Sequence, residues 1–571
     1  MAGEQLRDLG SLPDPRRTTL SDRDHGDRSA HVAYGDHSDH GTYDDQRAHR
    51  ERLDRRDHTL RLRAADALAA LAAEWYDPMV RQGLLGFVLI VLGSLSPAFI
   101  PDSSPLWSLP GSGMVRTPVG STFASLVALT GAWFALDAWL RLRPSASGRH
   151  DFRAVLALWS APFLVAPPIF SHDAYSYAAQ GWLVSRGVDP YQVGPGALPG
   201  PFADAVSRVW LYTPAPYGPL SLQIQRILVD ATGGLVPTVG SPLHAYLAAM
   251  AMRIPAVLGV VLIAACLPAL LRHAGAVGPE ADRGMWLAVA NPLMIVHFVG
   301  GAHNDALMVG LMVLALWYAG GRSFVTAAIL VGVATAAKQP AALAGLAVAV
   351  MFLPAEARRW AAWREILRRT GTTAAIALAS FGAVSLLTGL GFGWLHAMTV
   401  PGSVPTIAPS SLVAQAVNGL VLQWGYYEWG GVITATVEGV FGVATVGFIG
   451  WIGARIALHR PIRFVSWGLL AAAIGGAALH GWYLLWGGLL LPVARPSRRL
   501  VRVAVWVSVG MVVYYATNLA FRNQAGWLAI ASLVPYAVLM VRHDRAAWRA
   551  PIGAPDGLDP ADHGPLLARQ P

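Results

Sequence analysis

The stretch ALWSAPFLVAPPIFSHDAYSYAAQ, residues 157–180, carries no charge for fourteen residues and then reaches Asp173 within three. An apolar run that ends on a carboxylate reads as a membrane helix delivering an acid to the bilayer surface. Such a carboxylate is partly desolvated, and its pKa is expected to rise toward a useful general-base range. Tyr175 and Tyr177 follow at once, and their rings can exclude water and stack on a sugar. The alternative role for Asp173 is to cap a helix beginning at Ala174.

Around this stretch the chain is strongly apolar. Of 571 residues, 54% are hydrophobic and 13% charged, about half the charge of an ordinary soluble domain. Mean hydropathy is +0.44. These values exclude a disordered chain and a standard cytosolic enzyme, and they indicate an all-α polytopic membrane protein. Fourteen apolar runs are candidate spans: 82–99, 120–141, 152–170, 246–271, 284–300, 304–320, 323–337, 340–354, 371–391, 431–456, 463–479, 481–494, 501–519 and 526–541. Because several are short, the expected bundle has about 12–14 membrane helices across 82–541. The long segment 171–245 is rich in Tyr, Trp, Pro and Gly, and is expected to form short interfacial helices; 392–430 is similar.

Charge placement orients the chain. Arginines gather in the loops around 141–153, 358–369, 455–463, 495–502 and 542–549. The opposite side holds few cations: Arg116, Arg186, Arg208, Arg226, Lys338 and Arg522. By the positive-inside rule both termini are cytoplasmic and the Asp173 side is extracytoplasmic, in a cell (inner) membrane. The net charge of +9 therefore reflects cytoplasmic loops, and nucleic acid is not an expected partner.

Residues 1–60 read as a disordered cytoplasmic tail, and 542–571 as a second cytoplasmic tail. Six of the 17 histidines lie in the first, at irregular spacing that argues against a metal site: His25, His31, His37, His40, His49 and His58. Residues 61–81 form either an amphipathic helix on the membrane surface or a helix leading into the first span. Cys266, the sole cysteine, excludes an internal disulfide.

Further polar groups cluster on the outer side. His303, Asn304 and Asp305 occupy a tight turn, an expensive set beside a membrane unless they cap the next helix. Lys338 is the only lysine; all 42 other basic residues are arginine. On the side poor in positive charge, it is expected either to hold a phosphate or to snorkel as an anchor. His480 with Trp482, and Arg522, mark two more outer turns. There is no Walker loop, Cys/His metal cluster or nucleophilic serine elbow. The chemistry suggested is transfer from a lipid-borne phosphate donor to a hydroxyl acceptor, with no cofactor.

Four blocks, SHDAYSYAAQGWLVSRGVDPYQVGP with YTPAPYGPL (171–195 and 212–220), NPLMIVHFVGGAHNDALMVG (291–310), AAKQPAAL (336–343) and HGWYLLWG (480–487), occur in order. They resemble the actinobacterial polyprenol-phosphate-mannose-dependent α-1,6-mannosyltransferases of the MptA/MptB type, MptB above all. The resemblance spans roughly 85–560 and implies a GT-C glycosyltransferase bundle. It implies a polyprenyl-phosphate-mannose donor, a lipomannan-type lipoglycan acceptor and no metal. Asp173 would be the catalytic base. Lys338, Arg522 and Arg208 would hold the donor phosphate. Substrate would meet His172, Tyr175, Tyr177, Gln180, Tyr217, His303, Asn304, Asp305, His480 and Trp482. Relatives often carry a pair of acids where this motif has one, which leaves open whether Asp305 assists. The rival reading is a transporter or flippase of a lipid-linked sugar, or a GT-C transferase using another polyprenyl-phosphate sugar.

Overall fold

The computed structural model describes residues 64–144, 150–397, 406–425 and 427–549. The tail 1–60 with its histidines, and most of 542–571, lie outside the described residues. The chain divides into Met1–Asp66 and Ala67–Pro571, and everything below concerns the second unit unless stated. Among the described residues every regular element is helical.

Among the described residues, six helices are long and apolar enough to cross a membrane: Pro118–Arg141, Pro242–His273, Trp363–Leu387, Gly430–Ile456, Arg498–Arg522 and Gly526–Arg545. A seventh crossing is added if Ala64–Trp75 and Pro78–Ser94, bent by 88° at their junction, count as one. Asp77 makes that junction, accepting from the backbone N–H of Met79 and Val80 ahead of the new helix. Five further apolar helices have 10–17 residues.

Fourteen runs thus yield fewer long helices, because proline and polar residues break several of them. The run 284–300 is divided at Asn291-Pro292: the helix Pro279–Ala288 stops, Asn291 Oδ1 accepts from Leu293 N–H, and Ile295–Gly300 winds as a π-helix. The run 481–494 carries the short turn Gly481–Tyr483 and the five-residue helix Leu484–Gly488. Both breaks fall in the sequence blocks that carry His303 and His480.

Glycine seams let the helices close up. A Cβ on Gly86 would stand 2.5 Å from the Ala135 backbone nitrogen, and one on Gly93 would stand 2.4 Å from the Ala124 carbonyl. These contacts bring Pro78–Ser94 against Pro118–Arg141 backbone to backbone. Gly259 does the same between Arg253–His273 and Asp305–Ala319, where a Cβ would lie 2.1 Å from the Ala306 carbonyl oxygen. That contact is one residue from Asp305.

Segment 171–245 is folded as the sequence suggests, into helices. Asp173–Ser185, Pro219–Gly233 and Pro242–Ala251 pack on one another over a small core that includes Tyr175, Tyr177, Phe202 and Val229. Asp173–Ser185 and Pro219–Gly233 approach closely at Gly181, where a Cβ would be 2.6 Å from the Gln225 backbone.

Candidate active site

Asp173 is the first residue of its helix, and its N–H donates to Ser171 Oγ at 3.1 Å. The chain reaches it through Phe170, whose φ of 58° lies in the left-handed region. His303 and Asp305 are reached in the same way, through Ala302 at φ 56°. A side-chain-bearing residue held there costs roughly 1–3 kcal/mol, and such strain gathers at functional sites. The two strained corners are laced together: Ile169 N–H donates to the Gly300 carbonyl at 3.1 Å. Arg253, buried, donates to the Val299 carbonyl at 2.9 Å and to the Gly300 carbonyl at 3.3 Å. Its guanidinium thus satisfies carbonyls at the end of the π-helix, where the regular ladder stops.

This lacing sets His303 against Asp173. His303 Nδ1 lies 3.4 Å from Asp173 Oδ2. Tyr177, one turn along from Asp173, donates its hydroxyl to the same Oδ2 at 3.4 Å and also stands 3.4 Å from His303 Nδ1. The His303 side chain is fully buried, whereas Asp173 keeps 17% exposure. Asp173 is therefore the member of the trio that a substrate can reach. Burial pushes its carboxyl up, but the contacts and charge of His303, helped by His480 and Ser171, hold it down at about 2. The raised value expected from the sequence is corrected here, because desolvation is outweighed by donors contributed from other segments. His172 and His480 are each lowered to about 4, chiefly by burial.

His303 is clamped by rings. It stacks on Trp482 with centroids 3.7 Å apart, and Trp482 stacks on His480 at 4.5 Å. His297, in the π-helix, packs edge-on to Tyr515 at 4.2 Å, and both of its ring nitrogens are buried without a protein partner. Tyr515 accepts from Gly481 N–H at 3.0 Å, fixing the turn that presents Trp482.

A second polar unit stands alongside. Lys338 Nζ meets Asp305 Oδ1 at 2.8 Å, and Trp486 Nε1 donates to the same oxygen at 2.6 Å. Lys338 lies over the rings of Tyr483, Trp486 and Tyr217, at 4.4, 5.1 and 5.6 Å. Burial works against its charge, but Asp305 more than compensates and raises its pKa. Lys338 ends the helix Phe324–Ala337 just ahead of Gln339-Pro340. Gly218 N–H and Ser221 Oγ donate to the Ala337 carbonyl at 3.2 and 3.0 Å, which brings Tyr217 beside it. Tyr217 in turn meets Tyr177 edge-on at 5.1 Å, joining the two units.

The other sequence candidates are dispersed. Tyr175 and Gln180 are buried on the Asp173 helix, the hydroxyl of Tyr175 and Oε1 of Gln180 lacking a protein partner. Asn304 is buried with Nδ2 unpartnered. His172 packs on Phe99 at 5.6 Å, and Arg522, exposed, lies over the same Phe99 at 4.9 Å. Arg208 is exposed on the short helix Arg208–Leu211, and no contact among the described residues ties it to this cluster. The sequence reading missed His297, Trp486, Tyr515 and Arg253. The first two lie inside the quoted blocks and were recoverable there; Tyr515 and Arg253 carry no local signal.

The family described as "Alpha-(1->6)-mannopyranosyltransferase, N-terminal domain" matches residues 80–354. Alpha-(1->6)-mannopyranosyltransferase A of Mycobacterium tuberculosis is 31% identical over 453 residues, covering 75% of this chain and 83% of that protein. A probable alpha-(1->6)-mannopyranosyltransferase of Mycolicibacterium smegmatis is 30% identical over 482 residues, covering 75% and 81%. Among solved structures, ArnT from Cupriavidus metallidurans, bound to undecaprenyl phosphate, aligns at a TM-score of 0.36 with 18% identity, covering 69% of this chain and 75% of that one.

Proposed function

The chain belongs to the alpha-(1->6)-mannopyranosyltransferase family, and from that premise we propose that it moves mannose from a polyprenyl-phosphate-mannose donor to a lipomannan-type lipoglycan acceptor. The transfer takes place on the extracytoplasmic side of the cell membrane, in a GT-C-type bundle with cytoplasmic termini. The observation that carries the reading is the Asp173 carboxylate, 17% exposed and held by His303 and Tyr177.

Asp173 takes the proton of the acceptor 6-hydroxyl as that oxygen attacks the anomeric carbon. The bond from that carbon to the phosphate oxygen breaks on the opposite face, and the polyprenyl phosphate leaves with the electron pair. A β-linked donor gives an α-linked product, through an oxocarbenium-like state. A pKa near 2 makes Asp173 a weak base, suited to accepting the proton late, when the hydroxyl has become acidic through bond formation. His303 aims the carboxylate and takes no proton from substrate, because it is fully buried. Arg522, exposed beside the Phe99–His172 wall, meets the departing phosphate in this reading. Lys338 contributes its charge from a fixed place, through the pair with Asp305.

The experiment is incubation of the purified full chain, in detergent, with polyprenyl-phosphate-mannose and a short α-1,6-mannoside. A new α-1,6 linkage by linkage analysis is the expected result. No covalent product, with lipid-linked sugar crossing a sealed bilayer instead, would establish the flippase reading.

A further inference from the structure

His297 is a polar ring inside an aromatic box. It lies in the π-helix Ile295–Gly300, fully buried, with Tyr515 edge-on at 4.2 Å and Trp482 at 5.3 Å. Neither ring nitrogen has a protein partner. A phenyl ring would fill such a box without leaving polar atoms unsatisfied, so an imidazole there calls for a polar task. The π-helix itself is a rare element that gathers at functional sites.

His303 has the complementary need. Its Nδ1 faces Asp173 Oδ2 and the Tyr177 hydroxyl. A carboxylate only accepts, so Nδ1 carries a proton. Nε2, on the other side of the ring, is buried without a protein partner. In an imidazole the state of one nitrogen depends on what the other meets. Nε2 of a neutral ring needs a donor, and Nε2 of a protonated ring needs an acceptor. The two nitrogens of His297 offer one of each.

The chain holds the two histidines together. His303 N–H donates to the His297 carbonyl at 3.4 Å. Their ring centroids are 5.7 Å apart and the planes are tilted by 42°. Gly301 leaves the Nε2 side uncovered: a Cβ there would stand 2.9 Å from His303 Nε2 and 2.9 Å from the His297 carbonyl oxygen. A buried water makes about three hydrogen bonds. His303 Nε2, a His297 ring nitrogen and the His297 carbonyl supply that number.

We propose that His297 is a positioning residue for the transfer: across one water it partners Nε2 of His303, and so fixes the ring that aims Asp173. The inference rests on the reading of Asp173 as the base. Of the three residues in this line, only Asp173 meets substrate. The other titratable and charged groups facing the line are bound elsewhere. Tyr177 donates to Asp173, Tyr515 accepts from Gly481 N–H, and Lys338 pairs with Asp305. Arg253 donates to the Val299 and Gly300 carbonyls, and His480 stacks on Trp482.

The test is mannosyl transfer by the purified full chain in detergent, with polyprenyl-phosphate-mannose and a short α-1,6-mannoside, measured across pH. His297→Phe should lower kcat about ten-fold with the donor KM unchanged. It should also raise the pH below which activity is lost, toward that of His303→Phe. His297→Gln returns a polar group to the box and should restore most of both. In the His303→Phe background, His297→Phe should have no further effect, because the group it acts through is gone. Thermal unfolding reports that the variants are folded; if His297→Phe unfolds, His297→Leu takes its place in the same cycle. Full activity of the apolar variant, or losses that multiply with those of His303→Phe, would overturn the proposal and assign His297 to packing. Full activity of Asp173→Asn would instead overturn the reading beneath it, whichever way the cycle falls.

Discussion

Lys338 and Asp305, 33 residues apart in the chain, form a buried ion pair at 2.8 Å within a box of Tyr217, Tyr483 and Trp486. The only lysine of the protein is thus matched to an acid from the His303 turn. Its exposure is 9% and that of Asp305 is 0%, so neither charge is relieved by water when the other is removed. Lys338→Met should therefore destabilise the fold by about 3–5 kcal/mol. Lys338→Met with Asp305→Leu should recover much of that loss. Thermal unfolding in detergent reads both; a single variant as stable as the wild type would show that the pair is not buried in solution.

Asp173→Asn keeps the shape and the Tyr177 contact but removes the base. Turnover should fall about 10²–10⁴-fold. Donor binding and the unfolding temperature should change little by comparison. Full activity in this variant would end the assignment of Asp173 as base.

The pH dependence separates Asp173 from its holder. With its pKa at about 2, Asp173 is ionised at every pH where the protein is assayed, so it does not set an acid limb near neutrality. The folded value lies below the unfolded one, so its contribution to stability is present above about pH 4 and is lost as pH falls toward 2. In His303→Phe the main opposing donor is gone and only His480 and Ser171 still oppose burial, so the carboxyl pKa rises and activity is lost at a higher pH than in the wild type. His303→Asn places an amide near the Nδ1 position and should move the limb back. Superimposable pH profiles for the three proteins would mean that His303 only fills space.

Gly259 sits where a Cβ would strike the Ala306 carbonyl at 2.1 Å. Gly259→Val should push Asp305–Ala319 outward and take Asp305 away from Lys338, lowering stability and turnover together. Gly439→Ala, on a helix where a Cβ meets nothing within 4 Å, is the control and should alter neither measurably. Equal effects of the two would argue against the tight seam.

Much of the site was legible because a charge in an apolar run is conspicuous. Asp173, His303, Asp305, Lys338 and His480 each ended or interrupted such a run, and each was singled out without knowledge of its neighbours. Helical folding was legible for the same local reason, since hydropathy and proline act within one or two turns. Helix lengths were read less well: the 284–300 run looks continuous by composition, yet Asn291-Pro292 divides it.

What the sequence alone determined was an all-helical membrane chain and a short roster of residues able to do polar chemistry beside a bilayer. Tertiary structure alone decided who meets whom. Tyr177 finds His303 126 positions away, and Trp486 finds Asp305 181 positions away. Such pairings depend on which backbones can approach at glycine seams and on which carbonyls Arg253 and Ser221 can reach. For that reason the expected phosphate-holding lysine was found in an ion pair, and the expected high-pKa carboxylate was found held low. Desolvation can be read from a run of apolar residues, but the donors that oppose it come from distant segments and are set only when the chain closes on itself.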